Sequence, residues 1–83
     1  MSMVEKPEKS LAEAVAVLLE KIHRSFPVVS TRPIPPYEDE DFTLEIKIPA
    51  DMDRDQVMDV CLQHAMDVED AYGFTILIRV IKE

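Results

Sequence analysis

The chain has 83 residues, 47% of them hydrophobic, and this size predicts one small globular domain with a narrow stability margin. Its 17 acidic and 9 basic residues give a formal net charge of −8, which argues against binding to nucleic acids and to anionic membranes, since both require a cationic surface. A single cysteine, the lack of an apolar leader and the lack of an apolar run long enough to cross a bilayer predict a soluble cytoplasmic protein.

The first predicted element is a helix that begins after Ser10 and ends before Pro27. Ser10 and Glu13 form a capping box, in which each side chain bonds a free backbone N–H of the first turn. Proline cannot continue a helix, so Pro27 marks the end. Val17 falls on the polar side of this helix and is left as unexplained apolar surface. The apolar face contains Leu11, Val15, Leu18, Leu19, Ile22 and Phe26.

Two extended segments are predicted next. The first, VVSTR, is short and rich in strand-forming residues, and the stretch TRPIPPYEDED over residues 31–41 is expected to be an irregular connection. Proline lacks the N–H that a strand ladder requires, and four consecutive carboxylates repel one another. In the second segment apolar and polar residues alternate, which predicts a strand with one buried face. Its apolar positions are Phe42, Leu44, Ile46 and Ile48, and the polar positions between them are Thr43, Glu45 and Lys47.

A second helix and a final strand complete the chain. Asp53 is the expected N-cap, with Gln56 at the capping-box position, and Gly73 fits the left-handed residue that ends a helix. The apolar face of this helix contains Val57, Met58, Cys61, Ala65 and Val68. The strand FTILIRVI places Phe74, Ile76, Ile78 and Val80 on one face and Thr75, Leu77, Arg79 and Ile81 on the other.

These elements predict an α+β fold in the order α-β-β-α-β, a two-layer sandwich with two helices on one face of a three-stranded mixed sheet. Residues 10–83 form the single domain, and residues 1–9 form a flexible tail. The β-α-β portion is expected to be right-handed, so its two strands are parallel, while the spatial strand orders 1-2-3 and 2-1-3 both remain open. The order resembles small KH-like folds in topology alone, because the glycine-rich loop of that family is absent. The predicted core comprises Leu11, Leu18, Leu19, Ile22, Ile46, Ile48, Val57, Val68, Ile76 and Ile78.

The sheet face away from the helices is the predicted partner-binding surface. Leu77 and Ile81 are apolar residues that must meet either solvent or another chain, and Lys47 and Arg79 lie on the same face. A second copy of the chain is the favoured partner, because two-fold pairing is the commonest form of homo-oligomer and the core is small.

The weak candidates for chemistry are His23, Cys61 and His64. Cys61 and His64 are three residues apart on the second helix, so a thiolate–imidazole pair or, with His23, a zinc site is conceivable. The favoured interpretation is that Cys61 is a small core residue and His64 a partly buried histidine with a local hydrogen-bond partner. We therefore expect no catalytic, cofactor-binding or metal-ligating residues and no cofactor.

Three classes of function follow from the sequence. The first is a non-catalytic protein-interaction or regulatory module that self-associates, and it rests on the apolar residues left on the surface, Met66 among them. The second is an acidic decoy or inhibitor that binds a basic protein surface, as the net charge suggests. The third is a metal- or thiol-dependent enzyme that uses the candidates for chemistry.

Overall fold

The computed structural model describes residues 10–36 and 38–83, so the tail expected at residues 1–9 lies outside the described residues. The strand order is β1-β2-β3, with β1 antiparallel and β3 parallel to the central strand β2. This confirms the α+β fold and decides between the two strand orders that the sequence left open. The elements are α1 (Leu11–Ser25), β1 (Ser30–Ile34), β2 (Phe42–Ile48), α2 (Arg54–Tyr72) and β3 (Ile76–Lys82).

The helix ends follow the capping chemistry of the sequence. The Ser10 hydroxyl accepts from the N–H of Glu13 at 3.1 Å, and the Asp53 carboxylate accepts from two N–H groups in the first turn of α2. Gly73 ends α2 with φ +81°, a conformation that residues with a Cβ rarely adopt. A capping box would also have the Glu13 carboxylate accept from the N–H of Ser10. Here this carboxylate accepts instead from the Tyr72 hydroxyl of α2.

The core lies between the two helices and the sheet. The residues that α1 adds to the core include Leu18 and Ala14. Ala14 is buried because α1 packs against α2 as well as above the sheet. Leu11 and Leu19, predicted as core, are therefore only half-buried, and Val17 packs against the core instead of lying on a polar side. The other eight predicted core residues are buried.

The first strand extends further than its sequence suggested. Thr31, Arg32, Pro33 and Ile34 all pair with β2, so the irregular connection predicted for residues 31–41 is wrong for this part. The reason is that β1 has a neighbour on one side only, and an edge strand tolerates the missing N–H of Pro33 when that position faces solvent. Residues 38–41 do lie between the strands, as expected.

The opposite edge of the sheet is β3, and α2 covers part of it. The N–H of Glu83 donates to the Ile48 carbonyl at 3.0 Å. In a parallel ladder this means that the backbone N–H and C=O groups of the odd-numbered residues of β3 point toward β2, and those of the even-numbered residues point away from the sheet edge into the surroundings. Two outward groups have partners on or beside α2: the Ile76 N–H donates to the Glu69 carboxylate at 2.7 Å, and Arg54 Nε donates to the Val80 carbonyl at 3.0 Å. These side chains occupy groups that a further strand would need.

Replacing Ile76 by alanine tests the facing of β3. Ile76 is buried, and we expect the substitution to lower the free energy of unfolding by about 2–5 kcal/mol through lost transfer energy and a residual cavity. Leu77→Ala is the matched control, because the neighbouring side chain is exposed on the other face and its truncation should cost less than about 1 kcal/mol. Urea unfolding measures both, and equal losses would contradict the facing.

Candidate interaction surface

The sheet face opposite the helices carries nine side chains in three rows, one from each strand per row. We call these nine residues the open face. Side chains alternate along a strand, and the pairing of β2 with its neighbours places directly opposite residues on the same side. The rows are Ile34–Thr43–Leu77, Arg32–Glu45–Arg79 and Ser30–Lys47–Ile81.

A buried carboxylate lies at the centre of the open face. Glu45 has a side chain only 9% exposed, and its Oε1 lies 2.7 Å from Nε of Arg32 on the edge strand. Arg79 occupies the position on the other side of Glu45. Arg32 is 71% exposed, so solvent screens the pair and its contribution to stability is at most about 1 kcal/mol. The main consequence is geometric: the carboxylate is satisfied and the arginine is held over the sheet.

The first row is the acidic end of the open face. Thr43 is fully buried between Ile34 and Leu77, and its hydroxyl donates to the Glu40 carboxylate from the connection before β2. Glu40 also accepts from the N–H of Glu38 at 3.0 Å. The Glu40 carboxylate therefore reaches the open face and places negative charge at this end.

The third row is basic and contains a shallow cavity of about 310 Å³. Its lining combines the exposed cation of Lys47 with the Arg32 guanidinium, and Ile81 supplies an apolar wall. Ser30, Thr31 and Glu45 complete the lining. The two ends of the open face thus differ in charge, and the basic end is concave.

The open face and the solvent side of α2 have opposite charge. Three basic residues and one acidic residue give the open face a formal charge of +2 in a chain whose net charge is −8. On α2, the exposed residues that project to one side of the helix include two hydrophobic ones among three carboxylates. They are Asp55, Asp59, Leu62, Met66 and Asp70, and we call them the α2 stripe.

The four residues predicted from sequence to bind a partner share the open face. Leu77, Arg79 and Ile81 alternate along β3, and Lys47 stands opposite Ile81 on β2. Their binding role stays a prediction. Sequence reasoning missed Arg32 and Ile34 because both were assigned to the irregular connection.

The candidates for chemistry lie in structural positions. Cys61 is fully buried in the core, and burial raises the pKa of its thiol to about 11, so the thiolate needed for attack is scarce at neutral pH. His64 is half-buried, with Nε2 2.9 Å from the Ser25 hydroxyl oxygen at the end of α1, and His23 is half-buried on α1. Within residues 10–36 and 38–83, these three side chains do not form a cluster that could hold a metal ion, and no other group of histidine, cysteine and acidic residues does.

Comparison with known proteins gives no relative. The chain matches no protein-family model, and no curated protein and no solved structure is significantly similar to it. In the described part of the chain, neither α1 nor α2 is long and apolar enough to cross a membrane.

Thiol reactivity tests the position of Cys61. Because the native thiol is buried and its pKa is raised, we expect modification by a chromogenic disulfide reagent at pH 8 to be at least about 100-fold slower in the native protein than in denaturant. The reaction is followed by absorbance. Rapid modification of the native protein would contradict this placement and revive the thiol-enzyme hypothesis.

Proposed function

We propose that the domain is a non-catalytic protein-interaction module that pairs with a second copy of itself through the open face. The observation that carries the proposal is a solvent-facing sheet surface with exposed leucine and cationic side chains on an otherwise acidic protein. Leu77 is 40% exposed on this face and Ile81 is half-buried beside the cavity. Apolar side chains flanked by charged ones are typical of surfaces that bind protein.

The edges of the sheet favour pairing through the face over pairing through a strand. Pro33 lies within the β1 edge, where proline removes a hydrogen-bond donor that an added strand would use. At the β3 edge, Glu69 and Arg54 already occupy two outward backbone groups. A second copy would have to displace these contacts in order to pair along β3.

The size of the open face sets the expected affinity. Strands about 4.8 Å apart and rows about 6.6 Å apart make a three-by-three face of roughly 300 Å² in projection. A stable interface buries about 800 Å² on each partner, so this contact is weak and reversible. Reversible pairing suits a regulatory module.

We also propose a cytoplasmic location for the domain. Its one cysteine is a core residue, so the chain has no internal disulfide that would require an oxidising compartment.

The α2 stripe supports a second candidate function, in which the domain binds a basic protein surface. Leu62 is 41% and Met66 56% exposed, four residues apart on a helix, and aspartates flank both. This candidate corresponds to the acidic decoy that the net charge suggests, with its binding surface limited to one face of α2. Its binding would weaken steeply as ionic strength rises, because it depends on exposed charges.

A matched pair of substitutions separates the two surfaces. Leu77 and Leu62 have nearly equal exposure, 40% and 41%, but lie on opposite layers. We expect Leu77→Lys to weaken self-association at least about tenfold, because it removes apolar contact and adds charge to a face that is already cationic. Leu62→Lys should leave self-association unchanged. Sedimentation velocity over a wide concentration range measures both.

Two outcomes would contradict the proposal. One is a monomer at millimolar concentration near physiological salt. The other is a dimer that responds equally to both substitutions, or to Leu62→Lys alone. The latter would move the contact to the α2 stripe.

A further inference from the structure

The geometry points to one way in which two copies fit together: their open faces stack with the strands running in opposite directions. In this arrangement the Thr43 end of each copy lies over the Lys47 end of the other. The inference rests on the proposed function and adds to it the orientation of the pair and the contacts that fix it. The two-fold axis crosses the strands at the middle row.

The charge pattern along the open face is self-complementary in this orientation. Glu40 reaches the first row through its contact with Thr43, and Lys47 is exposed in the third row. These rows are about 13 Å apart along β2, so reversal of the second copy brings Glu40 near the Lys47 of its partner copy. Two-fold symmetry makes this contact twice.

Glu83 is an acidic residue near the Lys47 end: its N–H continues the β3 ladder by donating to the Ile48 carbonyl, and by alternation its exposed side chain follows Ile81 on the open side of the sheet. It lies at the β3 corner, whereas Lys47 stands on the central strand, the strand over which the Glu40 carboxylate of the partner copy lies.

Asp51 and Asp53 follow β2 in the chain, but their segment leads to the helix layer, and the Asp53 carboxylate caps α2. The open face itself ends in Ser30, Lys47 and Ile81.

The shapes of the two ends agree with their charges. In the reversed stack β3 lies over β3, so Leu77 of one copy stands over Ile81 of the other, at the apolar wall of the cavity. Ile34 stands over Ser30, which also lines that cavity. Each concave basic end therefore receives the two apolar side chains and the Glu40 carboxylate of the facing acidic end.

The alternative two-fold stack keeps the strands parallel and sets each row on the same row of the partner. It also brings Leu77 near an apolar residue, Ile34, so apolar contact does not decide between the stacks. Charge does: Lys47 would face Lys47 and Glu40 would face Glu40, and like charges in contact oppose association. The Arg32–Glu45–Arg79 row meets its own copy in both stacks, with arginine over arginine and Glu45 over Glu45, so its like-charge contacts oppose both stacks alike and do not discriminate.

Mixing two forms of the protein distinguishes the stacks. Dissociation constants are measured for wild type with itself, for wild type with Lys47→Glu, and for the variant with itself, with one partner labelled fluorescently at its N-terminus. The reversed stack predicts a graded loss: one repulsive contact weakens the mixed pair about fivefold, and two weaken the variant pair further. The parallel stack predicts that the mixed pair is the tightest of the three, and that result would overturn the inference.

Two further variants complete the experiment. Lys21→Glu, on α1 in the helix layer and outside the open face, makes the same change in net charge and should leave all three constants nearly equal. Glu40→Lys mixed with Lys47→Glu should regain wild-type affinity, because both end contacts become attractive again. Circular dichroism checks that each variant folds, and if Glu40→Lys does not fold, the first mixture alone decides.

The outcomes separate this inference from the proposed function. A wild type that never self-associates removes both. A wild type that pairs, with the mixed pair as the tightest, removes only the reversed orientation and leaves the open face as the contact. The graded loss, together with an unaffected Lys21→Glu control, supports the reversed stack.

Discussion

Both helices lie on the same face of the three-stranded sheet and, in the described part of the chain, leave the other face without a covering layer, and the structure is organised around this constraint. The buried polar side chains of the central strand β2 that face away from the helices find their partners on the edge strand β1 and in the connection before β2. Glu45 pairs with Arg32, and Thr43 donates to Glu40. A buried polar group without a partner costs about 1–3 kcal/mol, which this small domain has little stability to offset. The result is an open face whose central side chains are already fixed. A fixed surface loses little side-chain entropy on binding, which favours its use as an interface.

The distribution of charge has two opposing effects on association. The net charge of −8 makes two copies repel at long range, while in the proposed stack Glu40, beside one end of the open face, would attract Lys47 at the other end of the partner copy. Salt at about 0.15 M screens exposed charges beyond roughly 8 Å, so it weakens the long-range repulsion more than contacts excluded from water. Self-association that persists or strengthens at moderate salt therefore accords with the open face. Binding of a basic partner to the α2 stripe has the opposite dependence.

Those parts of the fold that depend on local chemistry could be predicted from the sequence. The caps at Ser10, Asp53 and Gly73 delimit the two helices, and alternation identifies β2 and β3. Features that depend on neighbours in space could not be predicted. From sequence alone Pro33 indicates a break in a strand. The structure accommodates it within β1 because β1 is an edge strand, and this is a property of strand order.

The candidate surface was predicted in part for the same reason. Leu77, Arg79 and Ile81 follow from period-two alternation, but the burial of Glu45 requires two flanking strands and the contact with Arg32. The inward position of Val17 depends likewise on the packing of α1 against α2. No local pattern contains this information. Residues 31–34, Thr-Arg-Pro-Ile, show no alternation of polar and apolar residues, so periodicity gives no signal for β1 at these positions.

The most direct test of the open face as the interaction surface is a dilution series followed by two-dimensional amide NMR. Resonances that shift with concentration identify the residues that change environment on pairing. The account predicts that these shifts concentrate on β2 and β3 around the open face, with the Lys47 and Leu77 amides among them, while amides around Leu62 and Met66 stay constant. Shifts confined to α2, or no shift up to millimolar concentration, would contradict it.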